Sequence, residues 1–466
     1  MVVCCGGSRT NAATVGVAKM VPDIPETRWA KATDGACIAY QVVGEGPVDL
    51  TFATYLANLD TLWELPPLAD FLRKLAAFSR LILHDERGTG LSDRAAESLT
   101  IETRGDDLLS VLDAADSSRT VLAASMKGGV AAAMLAAAHP ERTSAFVWYC
   151  PKPRSAWATD YPWGETEEEF RDDVRVIDES WGTEAGARAY FERDNPSLRD
   201  DPTCVKWLAK MHRQMVTPGT ALASERIWYE TDIRHVLPSI VVPTLVIDRD
   251  GVMPEKGEYT ASLIPGSERV VVHGDDAIYF LGDQDAIVDA IRVFVGAPSP
   301  APDLDRVLAT VLFTDIVGST DKACKVGDAC WTVLLEKHNT TVRAFIARYR
   351  GNEVKMTGDG FLATFDGPAR AVKCAQAICE AVKPLGLEVR AGCHTGEIEL
   401  MGADVGGIAV HIGARVGALA GPSEVLVSST VKDLVAGSGL VFEDRGQHTL
   451  KGVPDEWRLY AVTSTV

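Results

Sequence analysis

Apolar and polar residues follow two different rhythms along the chain. From about Thr27 onward, short unbroken apolar runs recur at Val48–Ala53, Arg80–His84, Val121–Ala124, Ala145–Trp148, Val241–Ile247 and Arg269–Val272. Between several of them lie Ala- and Leu-rich stretches with helical spacing, such as Gly129–Ala138. Such runs separated by helices predict a mostly parallel sheet covered on both faces. The stretch from about Ser155 to His235 breaks this rhythm. It is rich in Trp and acids, reads as helical, and predicts an inserted cap.

The pattern changes after GAPSPAPD (Gly296–Asp303), whose prolines predict a semi-rigid linker and a domain boundary. In VLATVLFTDIVGST (Val307–Thr320) a strand-like run stops at Asp315 and passes through a small-residue turn into a helix. Asp328–Arg350 has helical spacing, with Trp331, Leu334, Leu335, Val342 and Phe345 on one side as core or dimer surface. NEVKMTGDGFLATF (Asn352–Phe365) reads as two strands joined by a tight turn with Asp359 at its tip. A helix over Pro368–Val382, a strand over Leu387–Leu400, a helix over Gly406–Ala420 and a strand over Glu424–Ser429 complete an α+β order. The expected units are a disordered leader (1–26), a first domain (27–295, cap about 155–235), a linker (296–306) and a second domain (307–466).

Composition narrows the setting. At 466 residues the chain is too long for one typical core. A net charge of −19 argues against a nucleic-acid surface or an anionic membrane. The ten cysteines form no CxxC pair, no apolar run reaches the length of a membrane span, and the opening lacks a signal-peptide pattern. The expectation is a cytoplasmic protein with no membrane span and no nucleic-acid partner.

A carboxylate ending a buried strand before a small-residue turn suits a cation beside a phosphate, and a second at a hairpin tip suits a pair of cations. Taken singly, Asp315 and Asp359 are equally ordinary turn or cap residues. In this order and wording, FTDIVGST followed by EVKMTGDGFLATF resembles the catalytic domain of class III nucleotide cyclases, over about the last 160 residues. The resemblance implies a ferredoxin-like fold and conversion of a nucleoside triphosphate to a cyclic monophosphate. It assigns Asp315, Ile316 and Asp359 to two divalent cations, Mg²⁺ or Mn²⁺, and the turn Ile316, Val317, Gly318, Ser319 and Thr320 to the phosphates. Arg390, Arg415 and Lys451 fall on its phosphate-binding basic positions. Lys355 and Asp404 match the residues that read adenine in adenylyl cyclases, so ATP is the expected substrate. His411 stands where the family usually carries a transition-state asparagine. Because class III sites form between two catalytic domains, the resemblance also implies a homodimer.

In the first half, LILHDERGTGLSD (Leu81–Asp93) and VLAASMKGG (Val121–Gly129) resemble the α/β-hydrolase superfamily. Ser125 is read as the elbow residue with its hydroxyl exposed, although Ala123 and Lys127 occupy the flanks where glycine is usual. Asp250 matches the acid position and Ala277 stands at the base position. His273 lies four residues earlier. Without an imidazole a serine hydroxyl has no base near neutral pH, so a degenerate hydrolase site is expected. Such a domain leaves room for a small-molecule ligand and a regulatory role. The whole order resembles mycobacterial hydrolase–cyclase fusion proteins. Two other readings stay open, a bifunctional esterase–cyclase and a nucleotide-binding pseudoenzyme.

Overall fold

The computed structural model describes residues 24–94, 100–296, 306–401 and 404–463. Most of the expected leader and linker therefore lies outside the described residues. The first half is built on eight strands: β1 (Arg28–Lys31), β2 (Cys37–Val43), β3 (Asp49–Ala53), β4 (Arg80–His84), β5 (Thr120–Ser125), β6 (Thr143–Tyr149), β7 (Thr244–Arg249) and β8 (Glu268–Val272). They form one sheet in the order β1-β2-β4-β3-β5-β6-β7-β8, antiparallel up to the β2–β4 pair and parallel from β4 to β8. Helices α1 (Leu59–Leu62), α2 (Pro66–Ala76), α3 (Ile101–Ala114) and α4 (Gly129–Ala138) follow in chain order. Then come α5 (Glu167–Ser180), α6 (Glu184–Asp194), α7 (Pro202–Met215) and α8 (Pro218–Glu230), which replace the sheet rhythm as the expected helical insertion. Helices α9 (Pro254–Leu263) and α10 (Gln284–Gly296) close this half.

Two strand expectations are corrected. The run at Val241–Ile247 becomes ladder only from Thr244, because Pro243 has no N–H to donate. The run at Arg269–Val272 reads as buried, but β8 is the edge strand and leaves Val270 and Val271 exposed. The antiparallel pair β1–β2 was not anticipated.

The second half carries β9 (Arg306–Ile316), β10 (Asn352–Met356), β11 (Phe361–Phe365), β12 (Val389–Met401), β13 (Asp404–Gly406), β14 (Val425–Ser428), β15 (Val441–Thr449) and β16 (Glu456–Thr463). Their order is β10-β11-β9-β12-β14-β16-β15, with β13 folded back on β12. Helices α11 (Ser319–Val326), α12 (Asp328–Arg348), α13 (Pro368–Ala381), α14 (Ile408–Leu419) and α15 (Ser429–Leu434) lie between the strands. The side-chain period of a strand sorts β9 between two cores. Leu312 and Ile316 join Val342 of α12 and Val372 of α13, whereas Val311 and Phe313 join Ala409 and Val410 of α14. Asp315, two residues beyond Phe313, therefore faces the α14 side.

The halves dock through α3, α4 and β9. Leu308 of β9 and Leu434 of α15 share one apolar cluster with the Ala-rich α4. Beside it, Glu102 of α3 accepts a hydrogen bond from the Ala369 N–H (2.9 Å) in the first turn of α13. It also pairs with Arg370 at 2.9 Å, and Asp106 pairs with both Arg370 and Arg350. Glu102 thus caps a helix of the other half, satisfying an amide that the helix itself cannot.

Candidate active sites

The second half gathers its charged candidates on the α14 side of the sheet. Arg390 lies directly opposite Asp315 in the β12–β9 ladder, so both side chains share a face. The Arg390 guanidinium donates to the Asp315 carboxylate (2.8 Å from Nε) and to the Ala418 carbonyl near the end of α14 (3.2 Å). Arg390 therefore grips the strand-end carboxylate here instead of standing free in the cleft. The turn bearing Asp359 is held over the end of β9 because Gly360 lacks a side chain. A Cβ there would meet the Thr314 carbonyl oxygen at 2.0 Å. Asp359 is half-buried, and neither it nor His411 makes a side-chain hydrogen bond among the described residues.

The turn after β9 supplies fewer amides than expected. Ile316 is buried as the last residue of β9, and the Val317 N–H is spent on the Glu388 carbonyl (2.9 Å). Gly318, at φ +62°, makes the left-handed entry into α11 that a side chain would strain. The amides at Gly318, Ser319 and Thr320 sit where a helix has no acceptors of its own for its first N–H groups.

Lys355 reaches the same face through an irregularity. The β10–β11 register shifts between Glu353 and Lys355, which sets Lys355 opposite Leu362, a member of the α14-side core. There its ammonium donates to both oxygens of Asp404 (2.7 and 2.6 Å), brought over by the β12–β13 hairpin. The Lys355 ammonium holds the Asp404 carboxyl below its usual range. Both side chains are nearly half exposed, so water competes for them and the pair opens at little cost. Arg415 and His411 lie one turn apart on the exposed side of α14, and Arg415 donates to the Lys451 carbonyl at 3.2 Å. Ile408 and Leu419 on α14, with Met356, Leu400 and Met401 nearby in sequence to the pair, expose large apolar surface.

Sequence reasoning missed His338. It is fully buried on α12, its Nδ1 lies 3.1 Å from the Asn339 side-chain oxygen, and its Nε2 has no hydrogen-bond partner. Burial lowers its pKa, and the Asp359 charge opposes that shift. The available signal was spacing, since His338, Val342 and Ile346 are the buried stripe of α12.

The first half is different. Ser125 is the last residue of β5, at φ −119° and ψ 136°, and its hydroxyl is buried without a hydrogen bond. The strained φ of +49° belongs to Met126. A nucleophile elbow is recognised by its strained apex between small flanking residues, so the expectation for Ser125 is corrected by one position. Met126 is the apex, with Ala124 and Gly128 two residues to either side. A Cβ on Gly128 would stand 3.2 Å from the Ala53 carbonyl oxygen, which accounts for glycine at that flank. Lys127 is paired with Glu225 of α8 at 2.6 Å. Ala277 is buried and offers only its N–H, to the Asp194 carbonyl at 2.8 Å. Asp250 and His273 do meet (2.8 Å), and the Asp250 carboxylate raises the imidazole pKa. That imidazole is 90% exposed, in a surface pair that makes no hydrogen bond to Ser125.

Comparison with known proteins divides the chain in the same way. Residues 303–464 match the family model described as the adenylate and guanylate cyclase catalytic domain. That stretch is a class III nucleotide cyclase domain. A curated relative, putative adenylate cyclase 3 of Rhizobium meliloti, is 29% identical over 157 residues, or 32% of this chain. The match spans only 27% of that relative's length. The first half has an α/β-hydrolase fold. A bromoperoxidase from Bacillus anthracis (18% identity, TM-score 0.51) covers 58% of this chain and 100% of its own. An esterase from Exiguobacterium antarcticum (21% identity, TM-score 0.51) covers the same shares. These likenesses speak to fold alone. No helix among the described residues is long and apolar enough to cross a membrane.

Proposed function

We propose that the protein is an adenylyl cyclase, forming cyclic AMP and pyrophosphate from ATP at the interface of a homodimer. In this reading residues 27–295 act as a regulatory module without hydrolase chemistry, residues 307–466 catalyse, and the protein works in the cytoplasm. The observation that carries it is the Lys355–Asp404 pair. Adenine presents a ring acceptor at N1 and an amino donor at C6, so a Lys donor beside an Asp acceptor reads both. Guanine presents the reverse pattern and would leave both groups unpaired on desolvation.

Asp315 and Asp359 fit a pair of hard divalent cations, being oxygen donors of one sign at a strand end and an adjacent turn. When bound, such ions neutralise triphosphate charge and acidify the ribose 3′-hydroxyl. The chain's own residues do the rest. Lys355 and Asp404 part to admit the base and fix its orientation. The amides at Gly318–Thr320 face phosphate oxygens, while Arg415 and Lys451 neutralise the departing pyrophosphate. Arg390 positions Asp315. His411 donates a hydrogen bond to the reacting phosphate in place of an asparagine amide. The 3′-oxygen forms its bond to the α-phosphorus as the bond to the bridging oxygen breaks, and the hydroxyl proton passes to solvent.

The apolar residues exposed around α14 suit burial against a second copy. An esterase activity is disfavoured because Met126 holds the elbow apex. The test is cyclic nucleotide production by the full chain, with ATP and GTP each offered with Mg²⁺ or Mn²⁺. Cyclic AMP with little cyclic GMP is expected. Equal use of both nucleotides overturns the base assignment, and no product under either metal leaves a nucleotide-binding pseudoenzyme.

A further inference from the structure

The bulge that turns Lys355 toward Asp404 sits on an edge strand, since β10 ends the sheet and its ladder partner is β11. An edge strand is held from one side, so its register depends on what anchors its side chains. The pairing shows which face each residue takes. Glu353 lies opposite Ala363 and Met356 opposite Phe361, and both of those partners belong to the core shared with α12 and α13. Lys355 lies opposite Leu362, while Val354 is skipped by the ladder and packs in the same α14-side core as Leu362. Two consecutive residues therefore share the α14 face, which a regular strand does not allow and a bulge does. Closing the bulge would set Val354 opposite Leu362 and Lys355 opposite Phe361, on the α12 face and away from Asp404.

Helix α12 holds the residues on both sides of this bulge. Arg343 donates to Glu353 through Nε and Nη2 (2.9 and 3.0 Å), a two-pronged grip on the carboxylate. The same guanidinium lies 5.4 Å over the ring of Phe361, the cross-strand partner of Met356. One turn earlier on the same face of α12, the Asn339 amide donates to the Met356 sulfur at 3.3 Å.

One side chain thus spans the irregularity, touching a residue before it and the partner of a residue after it. Its charge also occupies the place beside Phe361 that the Lys355 ammonium would take in the regular register, and like charges there repel. Half of the Arg343 side chain is exposed, so its pair with Glu353 adds little to overall stability. The choice between two registers of one short edge strand is a smaller matter, and a weak anchor is enough to bias it.

We infer that Arg343 is a positioning residue for nucleotide selection, keeping the β10 bulge open and Lys355 beside Asp404 by gripping Glu353 and covering Phe361. The inference rests on the reading of Lys355 and Asp404 as the pair that recognises adenine. Arg343 acts through Lys355 and needs no contact of its own with the base.

The experiment is calorimetric titration of the full chain, with Mg²⁺ present, by 3′-deoxy-ATP and 3′-deoxy-GTP, which lack the reacting hydroxyl. Wild type should bind the adenine analogue more tightly. Arg343→Ala should narrow that preference by about fivefold or more, chiefly by weakening 3′-deoxy-ATP, and Arg343→Gln serves if that variant does not fold. In a Lys355→Ala background the same change should move the preference by less than about twofold, because the residue it positions is gone. A purely structural role would weaken both analogues alike and act equally in both backgrounds. An unchanged preference in Arg343→Ala, or an equal narrowing in the Lys355→Ala background, overturns the inference. If wild type binds both analogues equally, the base assignment fails and this inference fails with it. Selective binding by a chain that makes no cyclic nucleotide contradicts the cyclase reading and leaves this one standing.

Discussion

The elbow of the first half and the β9–β10 face of the second are both strand ends, but they have kept different things. At the elbow the backbone survives. Met126 holds the strained φ, Gly128 allows the close approach to Ala53, and the parallel sheet behind them is complete. What the apex lacks is a nucleophile, since the apolar Met126 side chain fills it. In the second half the side chains survive. Asp315, Lys355 and Asp404 are all partly exposed and held in pairs that water keeps weak. A strained turn can persist as scaffold when nothing reacts on it, because the surrounding sheet over-determines it. Exposed paired charges add little to stability, so their presence as a set is better explained by use than by folding.

The comparison breaks hardest at the carboxylates. Asp315→Asn or Asp359→Asn should lower cyclic nucleotide formation on the order of a thousandfold without moving the thermal midpoint appreciably. A fall in activity matched by loss of the folded state would show that these groups are structural. Next in size is the base-reading pair. Asp404→Asn should narrow the preference for ATP over GTP by about tenfold or more, read from kcat/KM for each nucleotide.

The docking surface between the halves sharpens the contrast, because there a carboxylate is buried and does serve the fold. Burial raises the Glu102 pKa from 4.5 to about 7. Between those values the folded state holds more protons than the unfolded one, so Glu102 favours folding at low pH and this contribution fades as pH rises to about 7. Glu102→Gln should flatten that slope in urea melts at pH 5 and pH 7.5. Glu102→Ala, which orphans the Ala369 N–H, should cost about 1–3 kcal/mol. The smallest expected effect is at the elbow. Met126→Ser alone should leave hydrolysis of a short-chain chromogenic ester at background, because His273 is an exposed surface residue paired with Asp250 and the new hydroxyl gains no base. Clear turnover from that single change would mean the site is less degenerate than its residues indicate.

Much of this was legible in the sequence wherever pattern and position are local. The β4 strand and α4 fall on their expected residues, and Asp315 and Asp359 fall at the expected strand end and turn. The elbow was misread by one residue because a serine drew attention from the spacing of its neighbours. Setting the register on Gly128 would have put Met126 at the centre. The β10 bulge that turns Lys355 toward Asp404 leaves no mark in composition, since two registers of that hairpin read alike. The docking of Glu102 on α13 joins residues more than 260 positions apart, and nothing near either residue announces the other. His338 was overlooked because a histidine in a buried stripe looks like any core position.

The central claim is that catalysis belongs to the second half and is shared between two copies. Mixing two variants tests it most directly, Asp315→Ala lacking the metal carboxylate and Asp404→Ala lacking the base reader's acceptor altogether, each expected to make little cyclic AMP alone. If every site draws these residues from different protomers, random pairing gives mixed dimers with one intact site, and about a quarter of wild-type cyclic AMP production should return. Mixed dimers demonstrated by differential tagging, yet showing no recovered activity, would contradict the shared site.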